Sequence, residues 1–182
     1  PGALVAAYFT PPAELPFCTE CVDIPVGVQH TFSDIDGSFE LTLLPNTTYY
    51  LTVEKGQFRR ITEYTTGDHD GVIDLEERTG TVKDSRTTLP NKHDPATGNY
   101  MPKILVVKGT FNNIDDMSVV FGELGFQWHD GLNGTGNIDA VDDDGSEIEQ
   151  IASDINRLKE YNLIVFTCGG GSDLLTGPTC RD

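Results

Sequence analysis

Residues 31–60 read TFSDIDGSFELTLLPNTTYYLTVEKGQFRR, and their alternation sets the character of the N-terminal half. Phe39, Leu41 and Leu43 alternate with Ser38, Glu40 and Thr42. Beyond the break at Leu44-Pro45-Asn46, Tyr49, Leu51 and Val53 alternate with Tyr50, Thr52 and Glu54. Successive side chains of a strand point to opposite faces. A period of two on both sides of a Pro-Asn break therefore predicts two half-buried antiparallel strands joined by a short turn. Asp34-Ile35-Asp36-Gly37 predicts another turn just upstream, because Asp and Gly tolerate turn dihedrals. Outward from this hairpin, residues 2–9 (GALVAAYF), 26–32, 58–64 and 72–75 read as further strands. Residues 10–16, with Pro11, Pro12 and Pro16, read as a rigid loop.

The pattern changes after residue 78. Residues 79–100 lack hydrophobic periodicity and are rich in Thr, Asp, Asn, Pro and Gly, which predicts a linker. Lys103-Ile104-Leu105-Val106-Val107 is then a short apolar run bounded by Pro102 and Gly109, the mark of a strand buried on both faces. Met117, Val120, Phe121 and Leu124 fall at helical spacing within 114–126. Ile148, Ile151, Ile155 and Leu158 do so within 147–161, with Asp144 and Ser146 as N-cap candidates. Leu163-Ile164-Val165-Phe166 is a second buried strand, followed by Cys168-Gly169-Gly170-Gly171. Strand, helix, helix, strand and glycine loop predict part of an α/β layer.

The chain of 182 residues has room for one large or two small domains. It carries 12 basic and 29 acidic residues, a formal net charge of -17. Such a field repels phosphate backbones and anionic lipid, so nucleic acid and membrane surfaces are poor partners and cations are good ones. No apolar run approaches the ~20 residues of a membrane helix. The sequence begins at Pro1 rather than Met, as a processed chain or a fragment does.

Several features resemble one known architecture, in order along the chain. They are the Cys18-Thr-Glu-Cys21 loop, the hairpin ending Lys55-Gly56-Gln57-Phe58-Arg59-Arg60, Thr88-Leu89-Pro90, Pro102-Lys103-Ile104, and Tyr161 to Phe166 with its Cys-Gly-Gly ending. Together they resemble the exported carboxypeptidase regulatory-like (transthyretin-like) proteins of the myxobacterial type. The resemblance implies an N-terminal antiparallel β-sandwich at 1–85, a linker at 86–100, and an incomplete flavodoxin-like α/β unit at 101–182. That unit is related to class I glutamine amidotransferases. Such a sandwich has a strand before residue 2 and such a sheet about five parallel strands, whereas two are legible here. Open edges at 2–9 or 163–166 are therefore expected to be filled by neighbours or by a longer chain.

Residues 66–77 (TGDHDGVIDLEE) carry the sharpest chemical motif. With Gly71 at the sixth position of a twelve-residue calcium loop, Asp68, Asp70 and Asp74 fall on the third, fifth and ninth. Val72 offers a carbonyl at the seventh and Glu77 a bidentate carboxylate at the twelfth. Hard Ca²⁺ takes several oxygens, and Gly permits the sharp turn. Thr66 stands at the first position in place of Asp, and the plain alternative is an acidic surface turn. Asp34, Asp36 and Asp142-Asp143-Asp144 are weaker candidates of the same kind.

An even set of cysteines, Cys18, Cys21, Cys168 and Cys180, predicts two disulfides, Cys18–Cys21 and Cys168–Cys180, in an oxidising compartment. Zinc at the Cys18–Cys21 pair would need a second ligand pair. Cys168, after a buried strand in a glycine loop, is the catalytic alternative. It would serve as an amidotransferase-like nucleophile, whose partner His is expected downstream of residue 182, with His129 and His69 as the alternatives within the sequence. The glycine run lacks the lysine and spacing of a phosphate loop. Trp128 reads as a packing residue. Asn46-Thr-Thr48 and Asn133-Gly-Thr135 satisfy the glycosylation sequon. The reading as a whole is a non-catalytic extracellular or cell-surface module, structural or adhesive, calcium-stabilised and assembling by strand complementation with copies of itself or adjacent domains. A hydrolase using Cys168 and a ligand-binding α/β domain are the rivals.

Overall fold

A computed structural model describes residues 2–15, 24–68, 71, 86–109, 117–132, 136–143 and 146–167. The chain divides into two compact units, residues 1–90 with 94–101, and residues 91–93 with 102–182.

Among the described residues the first unit forms an antiparallel sheet of five strands: β1 (Leu4–Tyr8), β2 (Gln29–Phe32), β3 (Thr48–Lys55), β4 (Phe58–Thr65) and β5 (Asn99–Tyr100), in the order β2-β1-β3-β4-β5. β3 and β4 pair along their whole length, from Thr48↔Thr65 to Lys55↔Phe58. They turn at Gly56, whose φ of 56° is one that glycine adopts without steric cost. The register Val5↔Val53 and Ala7↔Leu51 sets the apolar residues of β1 and β3 side by side on one face. Phe39 and Leu41 pack there on Ala3, Val5 and Val53, and Leu41 and Leu43 pack on Ala7, Tyr49 and Leu51.

The predicted alternation of residues 38–44 is therefore present. Phe39, Leu41 and Leu43 are half-buried, and Ser38, Glu40, Thr42 and Leu44 are exposed. The predicted hairpin of 39–43 with 49–53 is not. Both edges of β3 are already taken, by β1 and β4. The backbone of Leu44 is instead pinned at the end of the sheet. Its N–H donates to the Tyr49 hydroxyl at 3.0 Å, and its carbonyl accepts from the Thr66 hydroxyl at 2.6 Å. Residues 39–43 consequently run over the sheet rather than within it. The turn at 34–37 forms as expected, with the Gly37 N–H donating to the Asp34 carbonyl at 3.0 Å. Strand β1 lies between β2 and β3, so residues 2–9 are not an open edge, which corrects that expectation. Residues 99–100 of the expected linker form β5 against Arg59 and Arg60.

Among the described residues the second unit forms a parallel sheet of four strands, where two were read from the sequence. They are β6 (Ile104–Lys108), β7 (Trp128–Asp130), β8 (Ile138–Asp142) and β9 (Leu163–Phe166), in the order β7-β8-β6-β9. Ile104, Val106, Ile138 and Ala140 face Met117 and Phe121 of α1 (Met117–Glu123), together with Phe126 and Trp128. Leu105, Val107 and Val141 form a second cluster, with Ile148 and Ile151 of α2 (Ser146–Ala152), Leu158 of α3 (Ile155–Leu158) and Tyr161. Alternate residues of β6 thus enter different clusters, which is why its apolar run is unbroken. The single helix predicted over 147–161 is two short ones. Asp154 caps α3 by accepting from the Asn156 N–H at 2.9 Å, and that interrupts the periodic run. Among the described strands β9 stands at the edge of its sheet. Among the described residues no helix is long and apolar enough to cross a membrane.

Candidate functional site

The main chain of residues 39–43 is open. Among the described residues it makes no hydrogen bond, although the segment is held at both ends. At its start the Ser38 carbonyl accepts from the Asp34 N–H at 2.8 Å, and the Asp36 carboxylate accepts from the Ser38 N–H at 3.0 Å. At its end stand the two contacts of Leu44. Between these pins, three apolar side chains face the sheet and the polar ones face solvent. Such a segment presents a row of donors and acceptors to any extended chain laid beside it.

The reverse face of the antiparallel sheet holds a buried ion pair. Glu54 and Arg59 are cross-strand partners, 4% and 5% exposed, with Arg59 Nε donating to Glu54 Oε2 at 2.7 Å. Arg59 also donates from Nη1 to the Ala13 carbonyl at 2.6 Å, so the pair ties the proline-rich loop down onto the sheet. Burial pushes the Tyr8 phenol above its ordinary value, with Arg59 pulling it down and Glu54 adding to the rise. Glu54 Oε1 is buried without a partner among the described residues.

In the parallel sheet, Asp139 sits mid-strand and 1% exposed, and its Oδ2 accepts from the Tyr161 hydroxyl at 2.7 Å. Its Oδ1 has no partner among the described residues. Burial raises the Tyr161 pKa far above the ordinary tyrosine value, and the hydrogen bond to Asp139 and that carboxylate's charge raise it further. At the carboxyl ends of the strands, Lys108 Nζ lies 2.6 Å from Asp130 Oδ1 and 3.1 Å from Asp142 Oδ1. Burial works against its charge, but the hydrogen bonds to Asp130 and Asp142 and their negative charges raise its pKa. Thr167 ends β9 by accepting the Gly109 N–H on its hydroxyl at 2.8 Å and donating its own N–H to the Val107 carbonyl at 3.0 Å.

The residues predicted from sequence fall as follows. Cys18, Cys21, Cys168 and Cys180 lie outside the described residues, as do Asp70, Val72, Asp74, Glu77, Asp144 and His69. Asp68 is exposed. Thr66, at the first position of the expected calcium loop, is buried. Its hydroxyl is engaged at the end of the sheet, where it also accepts from the Thr47 N–H at 2.9 Å. That oxygen holds the turn before β3. Among the described residues no cluster of three metal-ligating side chains occurs. Trp128 packs against the β6–β8 apolar cluster, and His129 is exposed on β7. Glu54, Arg59, Asp139 and Tyr161 were not singled out from sequence. Asp139 interrupts the run Ile138–Val141, and that interruption was the available signal. Comparison of the chain with protein-family models, curated proteins and solved structures finds no match.

Proposed function

We propose that the chain is a non-catalytic structural or adhesive module of the cell exterior, held in a surface assembly by strand complementation. On this reading the antiparallel unit is a regulatory-like β-sandwich whose second layer begins with residues 39–43, and the parallel unit is a flavodoxin-like layer. The observation that supports it is the open main chain of residues 39–43, apolar on one face and pinned at both ends. An extended segment with unpaired donors and acceptors is a template for another strand. Contacts of that sort join the chain to its neighbours through main-chain hydrogen bonds and so build an assembly. Strand β9, with Leu163 and Phe166 exposed at a sheet edge, is a second place for such a contact. Sedimentation velocity on native material tests the reading. Species larger than the 19.9 kDa monomer are expected. Thr42→Pro should shrink them, because it removes one main-chain N–H from the open segment without touching the packed row of side chains. A compact monomer at every concentration would contradict the reading.

Calcium and disulfides belong to the same reading. Asp68, Asp70, Asp74, Glu77 and the Val72 carbonyl would supply oxygens to one Ca²⁺. Calorimetry should record uptake by the whole chain, with most affinity lost in Glu77→Gln, which removes a bidentate anion. No uptake at millimolar calcium would remove the ion from the account. Peptide mapping without reductant should recover Cys18–Cys21 and Cys168–Cys180 as linked pairs. A free thiol at Cys168 would instead return the hydrolase to consideration.

A further inference from the structure

We infer that the strand accepted along residues 39–43 belongs to a cationic, amphipathic segment of another polypeptide. The inference rests on the strand-addition reading above and adds the chemistry of the partner. A strand laid beside 39–43 alternates its own side chains. One row continues over the sheet next to Phe39, Leu41 and Leu43, which calls for apolar residues. The other row stands in solvent beside Ser38, Glu40, Thr42 and Leu44.

Charge decides what that outer row carries. The first 54 residues contain no Lys or Arg, while Glu14, Glu20, Asp23, Asp34, Asp36, Glu40 and Glu54 all fall within them. Glu54 is buried against Arg59, whereas Asp34, Asp36 and Glu40 are exposed at or beside the open segment, with the Asp36 carboxylate accepting from Ser38. The whole chain adds its net charge of -17. A second copy of this segment would bring the same carboxylates to the contact, and like charges facing across strands are unfavourable. Lysine or arginine at alternate positions of the incoming strand would meet Glu40 directly. It would also enter a field that speeds encounter and weakens with salt.

The test titrates the intact chain with a synthetic peptide of alternating Lys and Val, about seven residues long. A peptide with Glu in place of Lys is the control. The readout is the set of amide NMR shifts of residues 39–43. The Lys peptide is expected to move these amides, with affinity falling as salt rises, and the Glu peptide is expected not to. Glu40→Lys, an exposed change, should weaken the Lys peptide by roughly fivefold and let the Glu peptide bind. Thr42→Pro should remove the response. Equal binding of both peptides would overturn the charge inference and leave strand addition standing. Shifts that follow the chain's own concentration and neither peptide would make a second copy the occupant, and would also overturn it. Undiminished Lys-peptide binding to Thr42→Pro would show mere attraction to an acidic surface and overturn it. No response of these amides to either peptide or to self-concentration would sink both the inference and the reading beneath it.

Discussion

Replacing Arg59 with Ala is expected to destabilise the antiparallel unit by about 3–5 kcal/mol, the largest effect of any single change considered. Two losses combine. The Glu54 carboxylate, 4% exposed, is left charged with no counter-ion, and its Oε1 already has no partner among the described residues. The Ala13 carbonyl loses its guanidinium donor, so the 10–15 loop is released from the sheet. The pair itself contributes little net stability, because desolvating both ions offsets most of their attraction. A double replacement, Glu54→Met with Arg59→Met, is therefore expected to recover most of the loss. Urea unfolding of the two variants checks this. A mild Arg59→Ala phenotype would mean that water or another cation reaches Glu54.

Tyr161→Phe is expected to cost the parallel unit about 3 kcal/mol, since it removes the hydrogen-bond donor found on a buried carboxylate. Asp139→Val together with Tyr161→Phe should restore most of that, by removing the group that needs the donor and completing an apolar strand. The pair also predicts an alkaline limit. The Tyr161 pKa is raised on folding, by burial first and by Asp139 second, above its ordinary value of 10.0. Its contribution is fully present below that value and is lost as pH climbs from there toward the folded value. Unfolding midpoints of the wild-type chain should thus fall above pH 10, and this component of the fall should be absent from Tyr161→Phe. Identical alkaline slopes in the two proteins would contradict the assignment.

These buried polar groups also mark where the sequence was hard to read. Period-two alternation at 39–43 placed each side chain on the correct face. It could not name the strand's neighbour, because Tyr49 and Thr66 reach Leu44 through hydroxyls whose role depends on the finished sheet. Strand β8 escaped because Asp139 breaks Ile138–Val141, and the tyrosine that holds it lies 22 residues away. Glu54 falls on the face that alternation assigned to solvent, which the proline-rich loop in fact covers. Residues 95–100 read as linker because Pro95, Gly98 and Asn99 are turn formers. They nonetheless fold back on β4, where Gly98 has a φ of 79° and a Cβ at this position would run into the Ile61 carbonyl. The buried run of β6 was legible because both faces of a covered parallel strand are apolar, whereas β9, read as buried too, has Leu163 and Phe166 exposed. Most of the expected calcium motif lies outside the described residues, and its first position, Thr66, holds the turn before β3.

Amide hydrogen exchange at residues 40–43 tests the central claim most directly. In the dilute chain these N–H groups have no main-chain partner among the described residues and should exchange rapidly, while those of β3 beside them are protected. In native assembled material the account predicts protection on alternate amides of 40–43, those that face the added strand. Amides that exchange equally fast in both states, or that are already protected in the dilute monomer, would contradict it.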